Sequence, residues 1–276
     1  MSITVIMAVY AKENAFFLNQ ALESIWDNQT LKPNEIILIE DGPLTVELQD
    51  SIKHWKEKLK EKLIIIKNST NLGLTKSLNI GISHVHSELI ARMDSDDISH
   101  PDRFQKQVQF LKENPDIAIV GGSLQEFNKN ESCLKIRKYP KTPTECKNYI
   151  YKASPLAHPA VMMRKKIFEA GLKYNEKYRT SQDIALWFDA ISKGFQIANL
   201  PDILLYFRRE DSVFQRRSRK KAINEFKIYI NGIYKLKGVF TLKYIFPFIR
   251  FLFRLMPQNL IKWGYNSKLR TKFLQS

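Results

Sequence analysis

The sequence predicts an α/β protein with a mostly parallel central sheet flanked by helices and a basic amphipathic helical extension at its C-terminal end. Two observations carry the sheet. Short aliphatic runs alternate with amphipathic stretches through the first hundred residues, the pattern of strand–helix–strand crossovers in a sheet covered on both faces. Tyr10, Asp41 and Asp94 each follow directly on such a run, so a parallel sheet gathers them at its carboxyl edge, where open α/β sheets bind ligands. A third observation carries the extension. Residues 1–200 hold 27 Lys and Arg against 24 Asp and Glu, whereas residues 201–276 hold 17 against 4, so +13 of the net charge of +16 lies in that last part.

Taken in order, residues 3–9 read as a buried first strand, too short and too poor in basic flanking residues for a signal peptide. Residues 15–28 read as a helix with Phe17, Ala21, Leu22, Ile25 and Trp26 on one face. A second strand at 35–40 is closed by the turn Asp41-Gly42-Pro43. A charged helix at 46–60, a strand at 63–67, a helix at 74–84 and a strand at 89–93 follow, the last running into Asp94-Ser95-Asp96-Asp97. Residues 101–114 are expected as a helix and 117–121 as a strand. The stretch 128–157, with Pro140, Pro143 and Pro155, reads as loop with a short helix; 159–163 is apolar, and 181–193 is helical with Ile184, Trp187, Phe188 and Ile191 inward. Cys133 and Cys146 show no paired spacing, which points to a reducing compartment.

The tail adds a basic amphipathic helix at 222–234 and an aromatic-rich run at 241–256, broken by Pro247 and interrupted by Arg250 and Arg254. A bilayer span needs ~20 mainly apolar residues, so no transmembrane span is expected. The favoured reading is an interfacial helix, its rings toward lipid and its Lys and Arg toward anionic headgroups. The alternative is a helix packed on the protein's own body.

Asp94, Asp96 and Asp97 crowd three carboxylates after an apolar strand. Such crowding raises carboxyl pKa values unless a cation neutralises it, and Mn²⁺ or Mg²⁺ takes one or two carboxylates together with phosphate oxygens and water. The plain alternative is an Asp-rich turn capping the next helix. The flanking residues favour the first reading. Ala91-Arg92-Met93-Asp94-Ser95-Asp96-Asp97-Ile98-Ser99-His100-Pro101-Asp102-Arg103 resembles the DxD region of family 2 glycosyltransferases with the GT-A fold. Val5-Ile6-Met7-Ala8-Val9-Tyr10 and Glu35-Ile36-Ile37-Leu38-Ile39-Glu40-Asp41-Gly42 resemble that family's nucleotide-binding elements, and Asn71-Leu72-Gly73-Leu74 its turn before a helix. These landmarks span about residues 3–210 in the family's order.

The resemblance implies a GT-A catalytic domain at 1–218: a Rossmann-like nucleotide-sugar half at 1–100 and an acceptor half with the catalytic base at 101–218. Residues 219–276 are left as a membrane-associating tail. It implies that Tyr10 and Asp41 line the pocket for the nucleotide base, that Asp94 and Arg92 contact the nucleotide, and that Asp96 ligates Mn²⁺ or Mg²⁺ beneath the diphosphate. Arg92 has an equal alternative as a structural ion pair, and Asp97 is either a supporting group or a helix cap. Ser181-Gln182-Asp183-Ile184-Ala185-Leu186-Trp187 resembles the family's segment carrying the base, so Asp183 would deprotonate the acceptor hydroxyl in a single inverting displacement. Its alternative is a helix-start aspartate favoured by the dipole. Gln182, His158, Trp187 and Arg208 are expected near the acceptor or the diphosphate, each with a structural alternative, as is the pair Arg216-Arg217.

The function the resemblance implies is transfer of a sugar, from UDP-hexose or UDP-N-acetylhexosamine with dTDP-rhamnose as the alternative donor, to a polyprenyl-diphosphate-linked saccharide in bacterial O-antigen, capsule or exopolysaccharide assembly. The enzyme would sit peripherally on the inner face of the cell membrane. A metal-dependent nucleotidyltransferase is the alternative, but no Gly-rich, Lys-bearing phosphate loop is present near the N-terminus. A nucleic-acid-binding protein would explain the basic tail but not the acidic cluster.

Overall fold

The computed structural model describes residues 1–128, 133–209 and 219–255, with the backbone alone at Leu255. Its first half is a regular crossover unit. Strands β1 (Ile3–Val9), β2 (Glu35–Glu40), β3 (Leu63–Lys67) and β4 (Leu89–Asp94) lie in the order β3-β2-β1-β4. All three pairings are parallel. The connections are α1 (Ala15–Ile25), α2 (Val46–Leu59) and α3 (Leu74–Ser83). Asn14 starts α1 by accepting from the Phe16 amide at 2.8 Å. Thr45 caps α2 in the same manner, which satisfies donors that have no partner inside the helix. Residues of β1 alternate between the two core clusters, Val5 and Met7 on one face and Ile6 on the other, because helices cover both sides.

The second half is mixed. It contains β5 (Ile98–Ser99), α4 (Arg103–Glu113), β6 (Ile117–Phe127), β7 (Cys133–Arg137), α5 (Pro143–Tyr149), β8 (Met162–Arg164), α6 (Lys166–Glu169), α7 (Gln182–Ser192) and β9 (Gln196–Arg208). The sheet continues β4-β8-β6-β9-β5, with β7 beside β6. β8 is antiparallel to both its neighbours, whereas β6 and β9 are parallel.

Three expectations are corrected here. The strand expected at 117–121 runs on to Phe127, the loop expected at 128–157 holds β7, and β9 has no counterpart in the predicted elements. Gly121 and Gly122 break the side-chain pattern of β6, and their reason is close approach. A Cβ on Gly121 would lie 2.4 Å from Asn199 Oδ1, and one on Gly122 2.4 Å from Leu204 Cδ1. Opposite this point β9 slips register around Pro201 and Asp202, a bulge that accommodates proline inside a sheet.

The chain ends, within the described residues, with α8 (Arg219–Lys237) and α9 (Ile245–Leu255). α8 packs on the protein's own body: Ile228, Tyr229 and Ile233 join the core cluster of Trp187 and Phe188. Gly232 is required there, since a Cβ would fall 2.3 Å from the Phe188 ring. α9 lies on α8 through Phe226, whose ring is 5.0 Å from those of Phe248 and Phe251. Arg250 and Arg254 both turn inward to buried Glu225, each at 2.5 Å, not outward as the interfacial reading placed them. A carboxylate buried at that position needs its charge compensated. No described helix is long and apolar enough to cross a membrane.

Candidate active site

The register brings the carboxyl ends of β1, β2 and β4 level: Ala8 faces Asp94 and Val9 faces Glu40. Tyr10, Asp41 and the acidic loop therefore leave the sheet at one edge. Tyr10 is partly exposed there. Asp41 is buried, and its carboxylate accepts from the Leu72 and Gly73 amides at 2.8 and 3.0 Å and from Asn68 Nδ2 at 3.2 Å. It holds the turn 71–73 against the strand end. Gly42, at φ 90°, allows this approach, because a Cβ there would meet Asn71 N at 2.7 Å.

In the acidic loop, Asp94, Asp96 and Asp97 each offer a carboxylate oxygen, and the three lie within 4.8 Å of one another. Asp96 is pushed up to about 7, first by burial and then by the charges of Asp94 and Glu13. Asp97 is fully buried and also raised, by burial and by its two neighbours. Its Oδ1 accepts from the Arg208 amide at 2.8 Å, while Oδ2 is buried without a hydrogen-bond partner among the described residues. Asp97 therefore anchors β9 and caps no helix. The donor set fits a hard divalent cation: all oxygen, strongly negative, and at odds with itself unless neutralised.

Arg92 is only 2% exposed and its Nη2 binds Asp94 Oδ1, so the ion-pair role is realised. Its Nε and Nη1 are buried without hydrogen-bond partners among the described residues. The same guanidinium opposes the raised pKa of Asp96, Asp97 and Asp183 and helps push down that of His158. Arg92 thus acts by its charge on both the acidic loop and Asp183 of α7. Arg103 braces this strand end from behind, donating from Nη2 to the Arg92 carbonyl at 2.7 Å and the Val161 carbonyl at 3.2 Å.

On the other side, Asp183 occupies the first turn of α7. Burial raises its carboxyl to about 6, opposed by the Ile184 amide and by Arg92. Ser181 before it adopts left-handed φ 59° without a side-chain cap, strain of the kind that collects at functional sites. Gln182 and Trp187 are buried. His158 is held neutral by burial, with Nε2 2.8 Å from the Tyr174 hydroxyl and its ring 6.1 Å from Trp187.

Arg208 is brought to the acidic loop but is occupied behind it. Nε donates to the Asp96 carbonyl at 2.8 Å, Nη2 donates to Gln20 Oε1 at 2.7 Å, and the guanidinium lies 4.0 Å from the Phe17 ring centre and 4.6 Å from that of Phe127. Arg209 binds buried Glu126. Arg216 and Arg217 lie outside the described residues. Sequence reasoning missed Glu13, which accepts from Ser95 Oγ at 2.9 Å and adds its charge beside Asp96. Its signal was a carboxylate four residues beyond the first strand's end. Gln20 and Tyr174 had no signal, since their roles rest on partners more than 10 residues away.

A parallel half-sheet joined to a mixed half is the architecture of the GT-A glycosyltransferases. Solved structures share it: residues 1–349 of S. aureus TarS in complex with UDP, at TM-score 0.61 and 18% identity over 92% of this chain and 81% of that one. The mannosyltransferase PcManGT from Pyrobaculum calidifontis, with GDP-Man and Mn²⁺, gives TM-score 0.60 at 16% identity over 87% of this chain and 65% of that one. The family model for glycosyl transferase family 2 matches residues 4–172, and the chain belongs to that family. An uncharacterised glycosyltransferase of Haemophilus influenzae is 35% identical over 98% of this chain and all of its own. The amylovoran biosynthesis glycosyltransferase AmsE of Erwinia amylovora is 31% identical over 95% and 97%. The UDP-Gal:α-D-GlcNAc-diphosphoundecaprenol β-1,3-galactosyltransferase of Escherichia coli is 32% identical over 97% and 96%.

Proposed function

We propose that this glycosyltransferase moves one hexose or N-acetylhexosamine from a UDP-sugar to a saccharide carried on a polyprenyl diphosphate, with inversion, during bacterial surface polysaccharide assembly. The observation that carries the reading is the cluster of Asp94, Asp96 and Asp97, within 4.8 Å of one another at the carboxyl edge of the parallel strands. It supports a cation and diphosphate place there, with buried Asp183 as the base. Asp183, raised to about 6, is tuned as a base that accepts the acceptor's proton near neutral pH and yet is ionised there. Asp96, with Asp94 beside it, would hold Mn²⁺ or Mg²⁺, which when bound offsets the charge of the departing diphosphate. Tyr10 borders the expected base pocket, and Asp41 shapes it through the turn 71–73. Arg92 holds Asp94 in place, Arg208 fixes the acidic loop from behind, and Gln182, His158 and Trp187 wall the acceptor side. The acceptor class follows the activity for which the E. coli relative is named.

A peripheral position on the inner membrane face also belongs to this reading, with residues 219–276 as the associating part. With its arginines turned inward, α9 leaves Ile245, Phe248, Ile249 and Leu252 exposed at helical spacing, beside Phe240 at 99% and Leu242 at 91% exposure. An apolar stripe on a strongly basic segment suits an anionic bilayer surface. The enzyme reading is tested by titrating UDP in the presence of Mn²⁺. Binding is expected in the native protein and is expected to vanish in Asp96→Ala. Binding that ignores both metal and substitution would falsify the donor assignment.

A further inference from the structure

The segment leading into α7 and the first turns of α8 enclose an open groove of about 430 Å³ that the site above does not use. Lys177 and Arg179 stand on one wall and Lys220 and Lys227 on the other, with Lys221 also lining it and no acidic side chain among the described residues. The walls are tied together where Asn224 Nδ2 donates to the Thr180 carbonyl at 3.3 Å. Buried Ala222, Ile228 and Tyr229 fix α8 beneath them. Basic residues nearby are spent on carboxylates: Lys235 on Asp189, and Arg250 and Arg254 on Glu225. Lys177, Arg179, Lys220 and Lys227 have no such partner among the described residues. Four exposed cations converging on one cleft repel each other unless an anion joins them.

The position of the groove narrows the anion. Arg179 precedes Asp183 by four residues, which extended chain spans in at most about 14 Å. An acceptor whose hydroxyl lies at Asp183 therefore has its more distant atoms within reach of this cleft. The acidic loop cannot serve a second phosphate group without a second cation, whereas Lys and Arg engage phosphate oxygens directly. We infer that the groove lined by Lys177, Arg179, Lys220 and Lys227 binds the diphosphate of the acceptor, separately from the donor diphosphate. This rests on the transferase reading above for its link to catalysis, and on the groove itself for its choice of ligand.

The test uses the full chain and the triple variant Arg179→Ala/Lys220→Ala/Lys227→Ala, all exposed positions. Kinetics are measured with an alkyl-diphosphate-linked saccharide and with the same saccharide as a neutral alkyl glycoside. The variant is expected to raise KM for the diphosphate acceptor at least about tenfold, or ~1.4 kcal/mol of binding, to leave the donor KM in place, and to erase the preference over the neutral glycoside. In parallel, a short alkyl diphosphate without sugar is titrated in EDTA. Binding is expected to be equal in the native chain and Asp96→Asn, and lost in the triple variant and in Lys220→Glu/Lys227→Glu. Unchanged KM and unchanged binding in both groove variants overturn the subsite. Binding of phosphatidylglycerol vesicles without binding of the soluble alkyl diphosphate also overturns it, in favour of a headgroup patch. Metal-free alkyl diphosphate binding that depends on the groove, with no transfer to any acceptor, supports the subsite and defeats the transferase reading instead.

Discussion

The two halves of the site are assembled in opposite ways. The acidic loop is four consecutive residues delivered by one strand, and Asp41 grips a turn in the very next crossover. Around α7 the polar contacts join separate elements: His158 meets Tyr174, Thr180 meets Asn224, and Glu225 on α8 adds its charge to the surroundings of Asp183. Arg208 stitches the halves together, reaching from the end of β9 to Asp97, the Asp96 carbonyl and Gln20. A contiguous motif can present charge, but its shape depends on residues over a hundred positions away. The acidic loop is thus a local device held in a non-local clamp.

The strongest way to break this division is at Asp183. Asp183→Asn is expected to lower kcat by about 10²–10⁴-fold while Mn²⁺-dependent UDP binding persists, read by nucleotide release and by titration. Equal loss of donor binding would mean that the halves are not separable. In the native enzyme, kcat should rise about tenfold per pH unit below about 6 and level off above, because only the ionised Asp183 can take a proton. A rate that falls as pH rises through that window would remove Asp183 from the role.

The clamp is the next target. Arg208→Ala leaves Gln20 and the Asp96 carbonyl without their donor and removes the cation from between Phe17 and Phe127. A loss of about 2–4 kcal/mol in urea unfolding is expected, together with weaker Mn²⁺–UDP binding. Arg208→Lys should not restore either, since a point charge cannot replace the planar fork. Gly232→Ala asks whether α8 belongs to the catalytic body. On a loosely attached helix it would stabilise by up to ~1 kcal/mol; against the Phe188 ring it is expected to cost about 1–3 kcal/mol, visible as a lower Tm. The smallest change in stability is expected at the outer face of α9. Ile249→Glu/Leu252→Glu should stay within about 0.5 kcal/mol of the native fold yet reduce flotation with anionic vesicles. Undiminished flotation would leave the exposed stripe without a lipid role.

Strands β1 to β4, helices α1 to α3 and the placement of Asp94, Asp96 and Asp183 were legible from residue order alone. Each depends on periodicity within one element, and a period survives without knowledge of the partner. Three features were not. β9 and the far end of β6 escaped because Gly121, Gly122 and Pro201 erase alternation, and only the packing of Asn199 and Leu204 into the glycine gaps reveals why they stand in a sheet. The work of Arg208 was invisible because a guanidinium looks the same whether it waits for phosphate or is already bound by Gln20 and two rings. The direction of the two arginines of α9 was misjudged for the same reason. Composition announces that Arg250 and Arg254 are charged, but their direction was settled by Glu225, a buried carboxylate on another helix whose charge must be met where it lies.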